Sequence, residues 1–393
     1  MEVFDFTRVL SDRLKEPAPL IQVILGPRQV GKTTGIQRFL EDLGGATPYH
    51  YATADDALVV SSEWLEEQWQ QAVQKSQSQS KTKPKSCLLV IDEIQKIPQW
   101  SSVMKKLWDR QVSFRSTEPR LKVVLLGSSS FQIQSGLIES LAGRFELIRA
   151  FHWGFRRSKN KFGLDWDRYL RFGGYPGTYK LIDDPDRGRR YVRDSIVNTV
   201  IDKDILNQAH VKSPALFKQC FLLAMLFPAQ EISYNKLLGQ LQSRGNVDLV
   251  KYYLDLFEWS YLLKTLQKYS GKSLVKRSSS PKIVPLCPAL IDPSYVVDDP
   301  EKRGRVFESV VGAELLKETE TVFYWRNGDN EVDYVVESPG ELFAIEVKSG
   351  RKRSGKGLAE FRKHFPKART LFITEENFPE FAADQRRFFF SAT

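Results

Sequence analysis

The sequence predicts an α/β protein built around a parallel β-sheet. Short apolar runs rich in β-branched residues indicate buried strands. Stretches with helical periodicity separate these runs, and such alternation is typical of a parallel sheet. A glycine-rich turn joins the first run to a helical stretch at residues 33–43. We assign the strands of this sheet to residues 20–25, 87–91, 121–126 and 145–150.

Composition limits the class of protein. The chain has 393 residues, of which 41% are hydrophobic and 27% charged, so we expect two or three globular domains. The longest apolar run has eight residues, whereas a membrane-spanning helix needs ~20. We therefore expect no membrane association, and the first residues do not resemble a signal peptide. Three widely spaced cysteines favour a reducing compartment, most simply the cytoplasm.

Positive charge is concentrated in the middle of the chain. The formal net charge is +10 overall and +11 over residues 151–290. Basic patches are typical of proteins that bind nucleic acid, so DNA is the predicted partner. The alternative is a solvated basic surface without a partner.

Residues 26–33 follow the P-loop pattern G-x-x-x-x-G-K-[ST], between a predicted strand and a predicted helix. Gly26 and Gly31 let backbone N–H groups face phosphates. Lys32 would reach the β- and γ-phosphates, and the Thr33 hydroxyl would ligate Mg²⁺. A chance match in a turn before a helix is the alternative. The residues that we predict to bind ATP and its Mg²⁺ are Gly26, Pro27, Arg28, Gln29, Val30, Gly31, Lys32, Thr33, Thr34 and Asp92.

An acidic pair ends the second predicted strand. Asp92 would bind Mg²⁺, and Glu93 would orient the attacking water. A hydroxyl after the third strand would hold the water near the γ-phosphate, with Ser128 the first choice and Ser129 the second. The alternatives are a solvated turn for the acids and an ordinary Ser-rich loop for the serines.

Arg144 precedes the last predicted strand of the sheet. An arginine placed there would serve a neighbouring subunit's nucleotide as an arginine finger, which predicts a homo-oligomer. A plain surface arginine is the alternative.

The order of these motifs resembles the AAA+ ATPases. The motifs are the P-loop and residues 88–98, 127–130 and 141–144. Together with residues 172–176 and 202–205, they are most similar to a prokaryotic group in which an AAA_14-type core precedes a DUF4143-type domain of unknown function. The resemblance implies an AAA+ core at residues 1–154, a helical section at 155–230, a winged helix at 231–290 and a nuclease-like α/β domain at 291–393.

A winged helix would place one helix in a DNA groove and a basic wing on the backbone. Tyr269 is an aromatic residue within that wing. The alternative is that the winged helix serves only as a spacer. The basic residues on or near the proposed wing are Lys264, Lys268, Lys272, Lys276, Arg277 and Lys282.

The last hundred residues contain an acidic pattern. Glu308 lies in a predicted helix, Asp333 in a strand, and Glu346 and Lys348 at the end of the next strand. Residues two apart in a strand share a face, so Glu346 and Lys348 point the same way. Two carboxylates on neighbouring strands suit a hard cation such as Mg²⁺.

This pattern resembles the PD-(D/E)xK nucleases, although Val332 replaces the usual proline. The resemblance implies that Glu308, Asp333 and Glu346 ligate a metal and that Lys348 is catalytic. One alternative is a structural ion cluster in which Lys348 simply pairs with Asp333 or Glu346. Another is that the fold is kept only for binding.

The leading hypothesis is an AAA+ ATPase that acts on DNA, with metal-dependent phosphodiester cleavage as further chemistry. One rival is an ATP-dependent switch whose C-terminal domain binds a partner or DNA without cutting. A second rival is a remodelling ATPase that acts on protein.

Overall fold

The chain folds into two compact units in the computed structural model. Unit 1 comprises Met1–Phe151 with Asn207–Ala209, and unit 2 comprises His152–Leu206 with His210–Thr393. The structure describes residues 4–17, 19–44, 47–57, 59–78, 86–113, 120–128, 131–206, 209, 211–241, 246–271, 280–295, 299–319, 321–350 and 355–391.

Unit 1 contains a five-stranded sheet. Its strands are β1 (Ile21–Gly26), β2 (Tyr49–Thr53), β3 (Leu88–Asp92), β4 (Lys122–Ser128) and β5 (Phe145–Arg149). They pair in the order β2-β3-β4-β1-β5, and every pairing is parallel. The helices of this unit are α1 (Asp5–Leu14), α2 (Lys32–Asp42), α3 (Ser62–Ser78), α4 (Trp100–Val112) and α5 (Phe131–Ser140).

The central strands of this sheet are buried along their whole length. All residues of β1 and β3 are buried, as expected for a parallel sheet with both faces covered by helices. Side chains of α3 and α4 close part of this core, among them Trp69, Met104 and Trp108. The four predicted strands are confirmed, and β2 is an additional strand that the sequence analysis did not predict.

Unit 2 contains ten helices and seven strands among its described residues. The helices are α6 (Phe155–Phe162), α7 (Trp166–Phe172), α8 (Pro185–Tyr191), α9 (Pro214–Met225), α10 (Tyr234–Gln240), α11 (Val247–Trp259), α12 (Pro300–Glu318), α13 (Lys356–His364), α14 (Phe378–Ala383) and α15 (Gln385–Ser391). The strands are β6 (Gln230–Glu231), β7 (Leu263–Leu266), β8 (Lys282–Pro285), β9 (Val322–Asn327), β10 (Asn330–Ser338), β11 (Glu341–Lys348) and β12 (Arg369–Thr374).

Five short helical segments complete the described elements. The 3₁₀ turns are Ile94–Lys96 in unit 1 and Pro176–Leu181 and Pro288–Leu290 in unit 2. The segments with π-helical hydrogen bonding are Val192–Val197 and Val200–Leu206.

Two sheets organise the second half of unit 2. One is a small antiparallel sheet in the order β6-β8-β7, in which β6 lies between α9 and α10 and the other two strands follow α11. The other has the order β12-β11-β10-β9 and carries the acidic residues. Its strands β11 and β12 are parallel because α13 crosses over between them. A β-bulge in β10 lies between Val332 and Val335, next to Asp333.

Backbone contacts join these two sheets. The N–H of Tyr269 donates to the carbonyl of Tyr324 at 2.7 Å, and the N–H of Tyr324 donates to the carbonyl of Gln267 at 3.2 Å. The chain after β7 thus pairs with β9, which places the small sheet beside the C-terminal sheet.

In the part of the chain that the structure describes, no helix combines the length and the apolar character that crossing a membrane requires.

Candidate functional site

The P-loop curls between β1 and α2 in a conformation that requires glycine. Gly31 has φ +89°, a backbone conformation that is strained for any residue with a Cβ atom. A Cβ on Gly26 would lie 1.9 Å from the carbonyl oxygen of Ala150. The two glycines that the sequence analysis assigned to loop curvature are therefore sterically required.

The lysine and threonine of the loop contact groups at the end of the sheet. Lys32 is buried, and its Nζ donates to the carbonyls of Gly26 at 2.8 Å and Pro27 at 2.7 Å. The Thr33 hydroxyl donates to Oδ2 of Asp92 at 2.7 Å. A hydroxyl and a carboxylate side by side are suitable oxygen ligands for Mg²⁺. These two side chains therefore fit the metal that accompanies ATP.

Tyr51 is a further member of this site that the sequence analysis missed. It lies on β2, and its hydroxyl donates to Oδ2 of Asp92 at 3.1 Å. Burial and the charge of Asp92 raise the pKa of Tyr51, so the phenol stays protonated and remains a donor. Asp92 therefore accepts hydrogen bonds from two elements besides its own strand.

Glu93, Gln95 and Ser128 form a chain of side-chain contacts. Nε2 of Gln95 donates to Oε2 of Glu93 and, at 3.1 Å, to the hydroxyl oxygen of Ser128. Glu93 has φ +53°, an uncommon backbone conformation for a residue other than glycine. Burial, followed by the charge of Asp92, raises the pKa of Glu93. The carboxylate predicted to orient the attacking water and the hydroxyl predicted to hold that water are thus joined through Gln95.

Gln95 was not predicted as a site residue. It lies in the turn Ile94–Lys96, directly after the acidic pair, and is 9% exposed. Its Oε1 is buried and has no hydrogen-bond partner among the described residues. A polar side chain three positions after Asp92 was the available sequence signal, but sequence alone does not show its partners.

The predicted arginine finger is paired within its own chain. The guanidinium of Arg144 contacts both carboxylate oxygens of Asp109, at 2.6 and 3.0 Å. This bidentate pair raises the pKa of Arg144 and lowers the pKa of Asp109. A role toward a neighbouring subunit would require Arg144 to exchange this partner. The other predicted serine, Ser129, lies outside the described residues.

In unit 2, the predicted acidic residues come together around a buried lysine. Nζ of Lys282 lies 2.5 Å from Oε1 of Glu308, 3.4 Å from Oε1 of Glu331 and 3.9 Å from Oδ1 of Asp333. Arg305 contacts the other oxygen of Glu308 at 3.2 Å. Glu331 was not predicted, although it precedes Asp333 by two residues, which is the spacing of one strand face.

The remaining two predicted residues lie at the edge of this cluster. Nζ of Lys348 contacts Oε1 of Glu346 at 2.6 Å, which confirms that their side chains point the same way. Oδ2 of Asp333 accepts a hydrogen bond from the N–H of Val347 at 2.7 Å. Burial and the charge of Asp333 raise the pKa of both Glu308 and Glu346.

We tested whether these residues fit the divalent cation that the nuclease resemblance implies. Oxygens of Glu308, Glu331 and Asp333 lie within 4.8 Å of one another, which is close enough for a shared ion. However, the ammonium of Lys282 already lies among these oxygens. In this arrangement the cluster does not fit a divalent cation, and no cleavage step follows from it.

The proposed basic wing also differs from the prediction. Lys282 is fully buried rather than exposed, and Lys264 pairs with Glu258 at 2.6 Å. Tyr269 packs against aromatic rings of the C-terminal sheet and α13, including Phe323 and Phe361. Lys282 and Tyr269 are covered because the chain around β7 and β8 lies against the C-terminal domain, whereas the partner of Lys264 lies on α11. Lys272, Lys276 and Arg277 lie outside the described residues.

Comparisons with known proteins cover both units. Residues 19–158 match the family model of the AAA domain. Residues 163–291 and 303–388 match two domains of unknown function, DUF8612 and DUF4143. Uncharacterized proteins of Mycobacterium tuberculosis and Mycobacterium bovis are each 26% identical over 346 residues, which cover 84% of this chain and 70% of theirs.

Solved structures show a loose similarity over the length of the chain. The ORC2 protein of Aeropyrum pernix is 13% identical with a TM-score of 0.42, covering 80% of this chain and 92% of that one. The RuvB Holliday junction branch migration motor of Thermotoga maritima is 15% identical with a TM-score of 0.32, covering 70% and 91%. The AAA match agrees with the P-loop, the acidic pair and the parallel sheet, and together they support an AAA+ P-loop core in unit 1.

Proposed function

We propose that this protein binds and hydrolyses ATP at the P-loop of unit 1 and uses that cycle to act on DNA. The observation that carries the proposal is the direct contact between Thr33 and Asp92, with Glu93 and Ser128 beside it. Parallel strands place these groups together because β1, β3 and β4 all end at the same edge of the sheet.

Each group has a role in hydrolysis that its chemistry allows. Loop N–H groups and the ammonium of Lys32 bind the phosphates. Mg²⁺, held by Thr33 and Asp92, would neutralise charge on the β- and γ-phosphates. The carboxylate of Glu93 orients a water molecule for attack on the γ-phosphorus and accepts its proton. The Ser128 hydroxyl holds the water or a phosphate oxygen in line.

DNA is proposed as the partner because of the charge of unit 2. The wing contributes less to an open basic surface than expected, since Lys282 is buried and Lys264 is paired. Exposed cations on α6, on α8 and just after α8 supply an alternative surface that would contact phosphates without sequence preference. These exposed residues are Arg156, Lys159, Lys161 and Arg190, together with Arg187, Arg189 and Arg193, each of which also pairs with a nearby aspartate.

A homo-oligomer with Arg144 acting in trans is also proposed. The arginine pairs with Asp109 on the surface of its own chain, where water can hydrate both groups when the pair opens. Exchange of Asp109 for a neighbouring subunit's nucleotide would therefore cost little.

The second candidate function is an ATP-dependent switch whose C-terminal domain binds a partner or DNA without cutting. The position of Lys282 favours it, because that ammonium occupies the place where a nuclease would hold its metal. Metal-dependent cleavage remains a prediction from the sequence.

The proposal is tested by ATP turnover of the full chain with and without linear duplex DNA, at two salt concentrations. Lys32→Ala should abolish turnover, whereas Lys106→Ala, at an exposed site on α4, should not. Retained turnover in Lys32→Ala would refute the ATP site. DNA binding that weakens as salt rises supports the DNA proposal. Slow turnover that DNA does not alter favours the switch, and absence of salt-sensitive binding favours action on protein.

A further inference from the structure

The lysine at the centre of the C-terminal acidic cluster has no exposed surface. Lys282 is 0% exposed, and its Nζ lies 2.5 Å from Glu308, 3.4 Å from Glu331 and 3.1 Å from the carbonyl oxygen of Asp333. An ammonium group has three N–H donors and no acceptor. Two of these contacts, to Glu331 and to the carbonyl of Asp333, are hydrogen bonds, and the contact with Glu308 is a buried ion pair.

Burial of an unpaired ammonium would be strongly unfavourable. Three carboxylates, those of Glu308, Glu331 and Asp333, lie within 4 Å of this ammonium and favour its charged form. The lysine is therefore held as a cation by Glu308, Asp333 and Glu331. In turn, it compensates acids that would otherwise repel one another across less than 5 Å.

The same oxygens are those that a divalent cation would use. Glu308, Glu331 and Asp333 each offer one carboxylate oxygen, and these atoms lie within 4.8 Å of one another. Carboxylate oxygens are the ligands that Mg²⁺ and Mn²⁺ prefer. Since Nζ of Lys282 contacts two of these carboxylates directly, a metal ion and this ammonium would compete for one position.

Lys282 belongs to a different section of unit 2 from the acids that it contacts. It begins β8 of the small antiparallel sheet, whereas the acids lie on α12 and β10. β8 also packs against α12, and the chain after β7 pairs with β9 through Tyr269 and Tyr324. The lysine thus enters the cluster because the small sheet lies against the C-terminal domain.

We propose that Lys282 is a built-in counter-ion that excludes divalent cations from Glu308, Glu331 and Asp333. The proposal concerns unit 2 alone, so it stands or fails independently of the ATP site.

The test measures Mn²⁺ binding to the full chain in the absence of nucleotide. Binding is monitored as the loss of the free-ion signal in electron paramagnetic resonance. Lys282→Met should bind Mn²⁺ on the order of 100-fold more tightly than wild type, because a positive charge has left the site. Lys282→Arg keeps the charge and should behave as wild type. Adding Asp333→Asn to Lys282→Met should remove the gained binding.

Lys282→Met leaves buried acids uncompensated, so a second variant guards against misfolding. Lys282→Met/Glu331→Gln removes one acid with the lysine and retains Glu308, Asp333 and Glu346. This double variant should also gain Mn²⁺ binding.

Three results would overturn the proposal. The first is equal Mn²⁺ binding by wild type and the folded lysine variants. The second is wild-type binding that Asp333→Asn abolishes, because the lysine and the metal would then share the cluster. If folded variants without the lysine bind no Mn²⁺, the proposal also fails and the cluster is a structural ion network.

Discussion

Gln95 connects the two side chains that are expected to handle the attacking water. Its amide nitrogen donates to Glu93 and to Ser128. The hydrogen bond to Glu93 is one of the influences that lower the pKa of that carboxyl group. Burial and Asp92 outweigh it and raise that pKa overall. Gln95 therefore acts on hydrolysis by positioning the carboxylate, and it makes no described contact with the P-loop.

Gln95→Leu is expected to lower kcat for ATP by roughly 10- to 100-fold, since a hydrogen bond to a charged group is worth ~1.5–3 kcal/mol. The KM for ATP should change little. Loss of the donor raises the pKa of Glu93 further, so the carboxylate becomes protonated at a higher pH. The acidic limb of the kcat–pH profile should therefore move to higher pH.

Gln70→Leu, at an exposed position on α3, is the matched control and should leave the profile unchanged. A Gln95→Leu profile with the wild-type acidic limb would contradict the positioning role. Ser128→Ala should reduce kcat without the same pH shift, because it removes the other hydrogen bond of the amide.

The P-loop, the acidic pair and the pattern of Glu308, Asp333 and Glu346 could be singled out from sequence, whereas the partners that other elements bring to them could not. The P-loop and the acidic pair are each an unbroken stretch of sequence at the end of a strand, so each one indicates nucleotide binding by itself. Tyr51 joins Asp92 from a strand 41 residues earlier. Lys282 meets Glu308 only because two sheets pack together. The sequence analysis placed Lys282 on or near the basic wing and gave no sign of its acidic partners.

Among the secondary-structure elements, β2 shows why one strand was missed. Its sequence has no apolar run, and within Tyr49–Thr53 only His50 is buried. β2 is an edge strand that pairs with β3 alone, so burial placed little demand on its composition. The central strands had to be continuously apolar, and that requirement made them predictable.

Helix α13 packs against β10 at a glycine, and this contact tests the C-terminal fold. A Cβ on Gly357 would lie 1.8 Å from the carbonyl oxygen of Glu331. Gly357→Ala must therefore push the helix away from the strand that carries Glu331 and Asp333. We expect it to lower the free energy of unfolding by ~1–3 kcal/mol, measured by urea denaturation.

Gly239→Ala is the matched control, because this glycine also lies in a helix, α10. A Cβ there would meet no atom within 4 Å, and alanine favours the helical backbone by up to ~1 kcal/mol. It should be neutral or stabilising. Equal stability of Gly357→Ala and wild type would contradict the close packing of α13 on β10.

At the scale of the whole molecule, three of the predicted sections form one compact unit. Arg303 on α12 contacts Asp167 at 2.6 Å and Glu375 at 2.9 Å, so it links α7 to the C-terminal sheet domain. The ring of Trp166 on α7 packs against Phe307 and Phe378. The helical section therefore packs against the C-terminal domain. The residues in contact are some 140 positions apart, and sequence periodicity does not reveal such pairs.

Two compact units with separate cores should unfold in two thermal transitions, since multidomain proteins depart from two-state behaviour. A non-hydrolysable ATP analogue with Mg²⁺, at ~100 times its Kd, should raise one midpoint by roughly 5–10 °C. Gly357→Ala should lower the other midpoint, because that glycine lies in unit 2. Differential scanning calorimetry measures both effects. A single transition that responds to the nucleotide and to Gly357→Ala together would show that the units unfold as one and would contradict their independence.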